Sequence, residues 1–252
     1  MARYSALKVR IFQTCRLRFR YQYVAKDTDR IRPRLRPADT AGSLVHRILC
    51  DFYTKLRPEQ RTEEGLIELF ETGWNALSAG YHRIPGVEQY HEASIHQLRN
   101  YIRCFDYTAE PYMVEPYIQV DIQPGITLFG RLDRLDENPD GSLHIIDYKG
   151  GSLLGDVDSG QLAFYAVMAE IKFDSRVSRA SFWYLDDGSV WTTELSEMDK
   201  EQARTELMAT IDEMARTDEF PPTVAPHCAS CPFLHGCASR SEISQVRQQD
   251  GW

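Results

Sequence analysis

The stretch "GRLDRLDENPDGSLHIIDYKG", residues 130–150, constrains the fold more than any other part of the chain. "NPDG" is turn chemistry, and it separates two strand-like runs, "ITLFGRLDRL" and "SLHIIDYK". Asp133 then stands on the first strand and Asp147 at the end of the second. Adjacent strands lie about 4.8 Å apart, so side chains on one face of both can share an ion. Asp147 and Lys149 are two residues apart and point to the same face. Two carboxylates beside a lysine suit a hard divalent cation such as Mg²⁺, which takes carboxylate oxygens and keeps several waters. Such a cation makes water a better nucleophile at neutral pH, and the lysine can orient that water or stabilise charge on a phosphate oxygen. The competing reading is surface strand charge with a cross-strand ion pair. The apolar "LHII" running into "DYK" favours the first reading, because it sets the charges at the edge of a core.

The elements around this stretch follow from periodicity. A third strand, "MVEPYIQVDI", precedes it. "RIRPRLRPADT" is a proline-punctuated loop, and Asp39 or Thr40 can cap the helix "AGSLVHRILCDFYTKL", whose Leu44, Val45, Ile48, Leu49 and Phe52 recur at helical spacing. Residues 62–80 and 88–107 read as further helices. After the central strands come a helix over "SGQLAFYAVMAEIK", a hairpin turning at "DDG", and an amphipathic helix starting near a Ser196 cap. The tail "FPPTVAPHCASCPFLHGCASR" reads as irregular. This order predicts an α/β or α+β sandwich around a small mixed sheet. At 252 residues the chain can bury one sizeable core. It is expected to form a single domain over 1–252: a basic segment (1–40), a helical region (41–110), a catalytic sheet (111–195), then a helix and a Cys-rich tail (196–252).

Charge is unevenly spread. Residues 1–40 carry eleven Lys and Arg against three Asp, a net of +8, on a chain whose total is −8. Such asymmetry points either to a phosphate-rich partner or to a basic segment paired with the protein's own acidic surface. No apolar run approaches the roughly 20 residues needed to span a bilayer, and the N-terminus lacks the apolar core and cleavage site of a signal peptide. A cytoplasmic protein without a membrane partner is therefore expected, and its six cysteines need an explanation other than disulfides.

Several further side chains are candidates for a site. Gln161 and Tyr165 are i and i+4 on one helix face, placed to contact a nucleic-acid backbone, to support Lys149, or simply to form a surface pair. His46 lies beside an apolar helical stripe and is either structural or a ligand. Glu115 is a weaker candidate, and Asp136, Asp156 and Asp158 are assigned to turns and solvent. Cys228, Cys231 and Cys237 form C-x₂-C-x₅-C, the pattern of a metal or iron–sulfur site. A fourth ligand could be Cys15, Cys50, Cys104, His227 or His235, and a Cys₃His zinc site stays open. Cys50 and Cys104 lie in helical patterns and read as buried small hydrophobes.

Taken in order, His46, "GRLDRLD" with Asp133, "IIDYKG" with Asp147 and Lys149, and "QLAFY" with Gln161 and Tyr165 resemble the RecB-like branch of the PD-(D/E)xK nuclease superfamily, over roughly residues 5–238. That branch includes the nuclease domains of RecB and AddB helicase-nucleases and the CRISPR-associated exonucleases of spacer acquisition. The resemblance implies a restriction-endonuclease-like core with a helical insertion and a Cys-rich iron–sulfur clasp. It implies that His46, Asp133, Asp147 and the Tyr148 main-chain carbonyl hold Mg²⁺ or Mn²⁺. Lys149 would be the catalytic lysine, with Gln161 and Tyr165 as the family's Q-x-x-x-Y pair. Cys15, Cys228, Cys231 and Cys237 would hold a [4Fe–4S] cluster, with zinc as the alternative, and Arg16, Arg18, Arg20, Tyr21 and Tyr23 would line a groove for a nucleic-acid strand. The implied activity is exonucleolytic hydrolysis of DNA, at single-stranded ends, in repair, recombination or CRISPR adaptation. The competing reading is a non-catalytic nucleic-acid-binding or adaptor subunit. No GxxxxGKS/T loop is present, so a helicase or integrase partner would be a separate chain. The sequence departs from the family at Gly150, where threonine commonly follows the lysine, and at Arg16, where proline usually follows the cysteine.

Overall fold

The computed structural model describes residues 2–25, 31–34, 36–151 and 159–251. In chain order the helices are α1 (Ala6–Thr14), α2 (Arg16–Phe19), α3 (Pro37–Thr54), α4 (Glu63–Asn75), α5 (Ala79–His82), α6 (Glu88–Cys104), α7 (Ser159–Phe173), α8 (Glu197–Arg216) and α9 (Arg240–Asp250). The strands are β1 (Ala2–Tyr4), β2 (Met113–Val114), β3 (Tyr117–Gln123), β4 (Ile126–Arg131), β5 (Arg134–Glu137), β6 (Leu143–Lys149), β7 (Val177–Tyr184) and β8 (Val190–Glu194). Together they make a mixed α/β structure. Among the described residues no helix is long and apolar enough to cross a membrane.

The chain divides into two compact units, one of residues 1–3 with 37–205, the other of residues 4–36 with 206–252. The first holds two sheets, ordered β1-β4-β3 and β2-β5-β6-β7-β8. β6 and β7 are parallel, with α7 between them in sequence, whereas β2–β5, β3–β4, β5–β6 and β7–β8 are antiparallel. β6 is central in its sheet, and its apolar residues Leu143, Ile145, Ile146 and Tyr148 are all buried, as a strand covered on both faces requires. The turn before β6 forms as its residues predict: Gly141 takes a positive φ of 79° and donates its N–H to the Asn138 carbonyl at 2.9 Å.

Two of the three expected strands are broken. "MVEPYIQVDI" divides at Glu115–Pro116 into β2 and β3, and "ITLFGRLDRL" divides at Leu132–Asp133 into β4 and β5, so each run passes from one sheet to the other. Proline has no N–H to give a ladder, and Glu115 adopts a positive φ of 46°. The two breaks face each other: Glu115 N–H donates to the Asp133 carbonyl at 2.9 Å, and Leu132 N–H to the Pro116 carbonyl at 3.3 Å. Asp133 thus sits where the chain changes sheet.

Helices α3, α4 and α6 pack as an apolar layer whose core includes Leu44, Val45, Ile48, Phe52, Phe70 and Leu98, continuous with Ile146 and Tyr148 of β6. α3 starts at Pro37, before the predicted caps. Proline suits a first helical turn, where its missing N–H costs nothing, and Asp39 becomes a first-turn acid that complements the helix dipole. α8 starts as its sequence predicts, with Ser196 Oγ accepting from Asp199 N–H at 3.2 Å; the helix expected over 62–80 divides into α4 and α5, and Thr62 Oγ1 caps α4 by accepting from Gly65 N–H at 3.1 Å.

Among the described residues of this unit, the fully buried charged side chain is Arg134. Its guanidinium donates to Tyr53 Oη (2.8 Å) on α3, Tyr101 Oη (3.0 Å) on α6, the Ala109 carbonyl (3.1 Å) and Asp136 Oδ1 (2.7 Å). Asp136, expected in a turn, is instead this arginine's carboxylate partner, and burial raises its carboxyl above the usual range.

In the second unit, α1 and α2 pack through Phe12 and Phe19, whose rings meet edge-on at 5.1 Å. A π-helical turn, Arg20–Val24, follows. Arg16 forms an ion pair with Glu213 of α8, so at this position the basic segment does pair with the protein's own acids. The tail contains two 3₁₀ turns, Pro226–Ser230 and Leu234–Gly236, and then α9. α9 escapes a reading by periodicity because Ile243 is its sole buried residue.

Two stability measurements test this description. Arg134→Met leaves two phenols and a carboxylate without their buried partner, and should cost about 3–5 kcal/mol in urea unfolding at neutral pH; a loss under about 1 kcal/mol would contradict the network. His144 bonds Ser181 Oγ at 2.7 Å. Its imidazole is lowered to about 4, first by burial and then by Arg179 and Arg134. The ordinary value is about 6.5, so the unfolded state takes up a proton between the two values that the folded state refuses. Above that window His144 has no effect; as pH falls through it, stability is lost, by up to about 3 kcal/mol. The stability difference between wild type and His144→Gln should therefore move in the variant's favour from pH 6.5 to 4, and a difference constant with pH would contradict the buried neutral imidazole.

Candidate active site

The β5–β6 register pairs Arg134 with Ile146. One step further along it, Asp133 comes opposite Asp147. Asp133 Oδ2 accepts the Tyr148 N–H at 2.8 Å, and Oδ1 pairs with His46 Nδ1 at 2.9 Å. With Nδ1 turned to Asp133, Nε2 is the imidazole nitrogen that Asp133 leaves unengaged. Burial alone would lower the His46 imidazole; the charge and hydrogen bond of Asp133, then Asp147, outweigh it, and the net shift is upward.

Asp147 is buried. Its Oδ1 accepts from Gln161 Nε2 at 2.8 Å. Lys149 Nζ lies 2.6 Å from Oδ2, a close ion pair with a buried carboxylate. The carboxyl is pushed up to about 6, first by burial and then by Asp133, against the opposing pull of Lys149 and His46. Lys149 also donates to Gln161 Oε1 at 2.8 Å and lies over the Phe182 ring, 4.7 Å from its centroid. Gln161 therefore uses both ends of its amide, one on Lys149 and one on Asp147, and Nε2 also reaches Tyr165 Oη at 3.4 Å. The Tyr165 ring explains Gly130: a Cβ there would meet Tyr165 Cε1 at 3.1 Å.

The structure thus gathers His46, Asp133, Asp147, Lys149, Gln161 and Tyr165 in one place. Tyr148 lies between Asp147 and Lys149, its ring in the core and its N–H on Asp133. Glu115 does not join them through its carboxylate, which pairs with Arg131 at 3.0 Å; its contribution is the backbone bond to Asp133. Asp156 and Asp158 lie outside the described residues. Phe182, opposite Asp147 in β7, was not foreseen, because the β6–β7 register is not written in either strand. At the departure from the family, Gly150, a Cβ would meet Gln97 Nε2 at 3.3 Å.

In the second unit, Cys15, Cys228, Cys231 and Cys237 all line one cavity, with Arg18 and His227 among its other walls. All are free thiols. Burial raises the Cys228 and Cys231 thiols, and the neighbouring cysteines add to it. Arg18 Nε and His227 Nε2 are buried without hydrogen-bond partners. Cys50 is half-buried, whereas Cys104, expected to be buried, is exposed; it lies at the end of α6 against Gly188 in the β7–β8 turn, where no core covers it.

Among the described residues no three His, Cys, Asp or Glu side chains are arranged to hold one metal ion together. In the sheet the carboxylates are engaged by His46, Gln161 and Lys149. The donor sets nevertheless fit two different groups. An imidazole and two carboxylates suit a hard cation; four thiols around one cavity suit a soft metal group.

Residues 3–238 match the family model of the PD-(D/E)XK nuclease superfamily, and the chain belongs to that superfamily. Among solved structures it is similar to a candidate exonuclease from Eubacterium rectale, with a TM-score of 0.50 at 10% identity over 84% of this chain and 79% of that one. At that identity the likeness concerns the fold. SSO0001 shows a fainter likeness, with a TM-score of 0.40 at 15% identity over 80% of this chain and 97% of that one, too low to carry an argument. No curated protein matches the chain.

Proposed function

We propose that the protein is a Mg²⁺- or Mn²⁺-dependent deoxyribonuclease of the RecB-like branch, acting in the cytoplasm as an exonuclease on single-stranded DNA ends. The observation that carries this reading is the Gln161 amide, which holds Lys149 and Asp147 together beside the His46–Asp133 pair. A retired nuclease fold would not need that arrangement. The His46 imidazole, Asp133, Asp147 and the Tyr148 carbonyl would hold the cation. When bound, it would supply Lewis acidity toward a phosphodiester and a more acidic water.

The chain's own residues set the rest. Tyr148 N–H and His46 fix the rotamer of Asp133. Burial and the neighbouring Asp133 raise the cost of ionised Asp147 by more than Lys149 and His46 offset, which favours capture of a further cation. Lys149 brings a positive charge to the same edge, where it can neutralise charge gathering on a phosphate oxygen. The exonuclease assignment follows from the resemblance of the ordered motifs to the RecB-like branch, and single-stranded ends are the substrate proposed for it. The pathway, repair or recombination or CRISPR adaptation, would be set by a separate helicase or integrase partner.

The second unit would carry a [4Fe–4S] cluster on Cys15, Cys228, Cys231 and Cys237, with zinc as the alternative. The support is their common cavity. Such a group would staple Cys15 to a segment more than 200 residues away, closing a very long loop.

Two experiments test these assignments. Purified protein with Mn²⁺ should degrade end-labelled single strands, and Asp147→Ala or Lys149→Ala should lower kcat by at least about a hundredfold without unfolding the protein; undiminished cleavage by both would contradict the site. Anaerobically purified protein should be brown, and Cys15→Ser should bleach its visible absorption and lower its unfolding midpoint; a colourless, zinc-containing wild type would contradict the cluster.

A further inference from the structure

Lys149 is the last residue of β6, and strand ends fray unless something holds them. Here the hold comes from one side chain in the β7–β8 turn. Asp186 Oδ2 accepts the Gly151 N–H at 2.8 Å, and Oδ1 accepts from Gln97 Nε2 of α6 at 2.6 Å. The residue before it, Leu185, donates its N–H to the Lys149 carbonyl at 2.8 Å. The Leu185–Asp186 backbone is in turn tied to α6, where Asn100 Nδ2 donates to the Leu185 carbonyl (3.0 Å) and the Asp186 carbonyl (2.8 Å), and His96 Nε2 to the latter at 2.9 Å.

The bland reading of Asp186 is a turn residue of the "DDG" hairpin. The turn does not use its carboxylate. Asp187 serves the turn, accepting Ser189 N–H at 2.9 Å and Ser189 Oγ–H at 2.6 Å, and Gly188 supplies the positive φ of 72°. The Asp186 carboxylate is spent entirely on the exit of β6 and on α6. Gly151 itself has a φ of 89°, so its N–H direction is set by a backbone conformation that glycine alone adopts freely.

We propose that Asp186 is a positioning residue for Lys149: by locking the Lys149–Gly151 backbone onto α6, it keeps the lysine ammonium on Asp147 and Gln161. The inference rests on the reading of Lys149 as the lysine of the reaction. Lys149 Nζ sits at the end of a long flexible stem, so a shift of its Cα passes directly to the ammonium. Misplacement by about 1 Å at a reacting centre can cost about a hundredfold in rate.

The test uses the full chain, Mn²⁺ and single-stranded DNA, with Lys149→Ala as reference. Asp186→Ala should lower kcat about ten- to a hundredfold with KM for DNA little changed, and should speed amide exchange at Lys149 and Gly151 while the global unfolding midpoint stays close to wild type. Asp186→Asn keeps an acceptor for Gly151 N–H and, with the Gln97 amide turned over, a donor to it; it should restore most of kcat and of the exchange protection. Gln97→Met, which removes the far half of the clamp, should show a smaller loss of the same kind. An active Lys149→Ala protein would overturn the site reading, and this inference with it. An inactive Lys149→Ala beside an Asp186→Ala protein of unchanged kcat would overturn the inference alone. So would a kcat loss that asparagine fails to recover and that follows a fall in the unfolding midpoint.

Discussion

A guanidinium cannot shed its charge in a protein, so burying one forces the surrounding core to supply acceptors for it. Arg134 imposes that condition on the first unit. Its acceptors come from α3, α6, β5 and the Ala109 carbonyl, and burial holds the Tyr53 and Tyr101 phenols far above their ordinary range, so they stay neutral. Tyr53 is seven residues, about two turns, beyond His46 on α3. Tyr101 is one turn beyond Gln97 on α6. Asp133 is the residue just before Arg134. The arginine therefore fastens the strand that presents Asp133 to the two helices that present His46 and Gln97.

From that anchor the site builds outward. The strand run breaks at Leu132–Asp133 and meets the break at Glu115–Pro116, so Asp133 is fixed through its own carbonyl as well as its carboxylate. Asp147 follows from the β6 register, and α7 returns over the sheet to place Gln161 between Asp147 and Lys149. Each charged group here is held by a neutral donor or by an opposite charge. Asp147 Oδ2 has the Lys149 ammonium, and the two carboxylates together offer the oxygen donors that a hard cation takes. Divalent cations are what nucleases of the PD-(D/E)XK superfamily, to which the chain belongs, generally use.

Much of this was legible in the sequence, and the part that was not has a common cause. Local signals carried the α3 stripe, the Asn138–Gly141 turn, the α8 cap and the β7–β8 hairpin, because periodicity and turn chemistry act over a few residues. They also carried His46, Asp133, Asp147, Lys149 and Gln161, whose spacing resembles a known family, and the structure brings these side chains together. What escaped depends on register and long-range pairing. Nothing in "GRLDRLD" says that Arg134 will be buried while Asp133 meets a histidine, since that requires Tyr53, Tyr101 and Ala109 to arrive from elsewhere. The strand breaks escaped because Glu115 and Pro116 look like an ordinary interruption until their partner at Asp133 is known. α9, with its single buried Ile243, has almost no apolar periodicity to read. Asp186 was absorbed into the turn motif "DDG", which needs just one of its two aspartates.

On the proposed reading, His46, Asp133 and Asp147 form one cation site near the end of β6, with Lys149 beside it and not in it. Calorimetric titration of the metal-free protein with Mn²⁺ tests this most directly. One tight site is expected, lost in Asp133→Ala and Asp147→Ala, weakened in His46→Ala, and kept in Lys149→Ala. Equal binding by wild type and by the Asp133→Ala, Asp147→Ala double variant would contradict it.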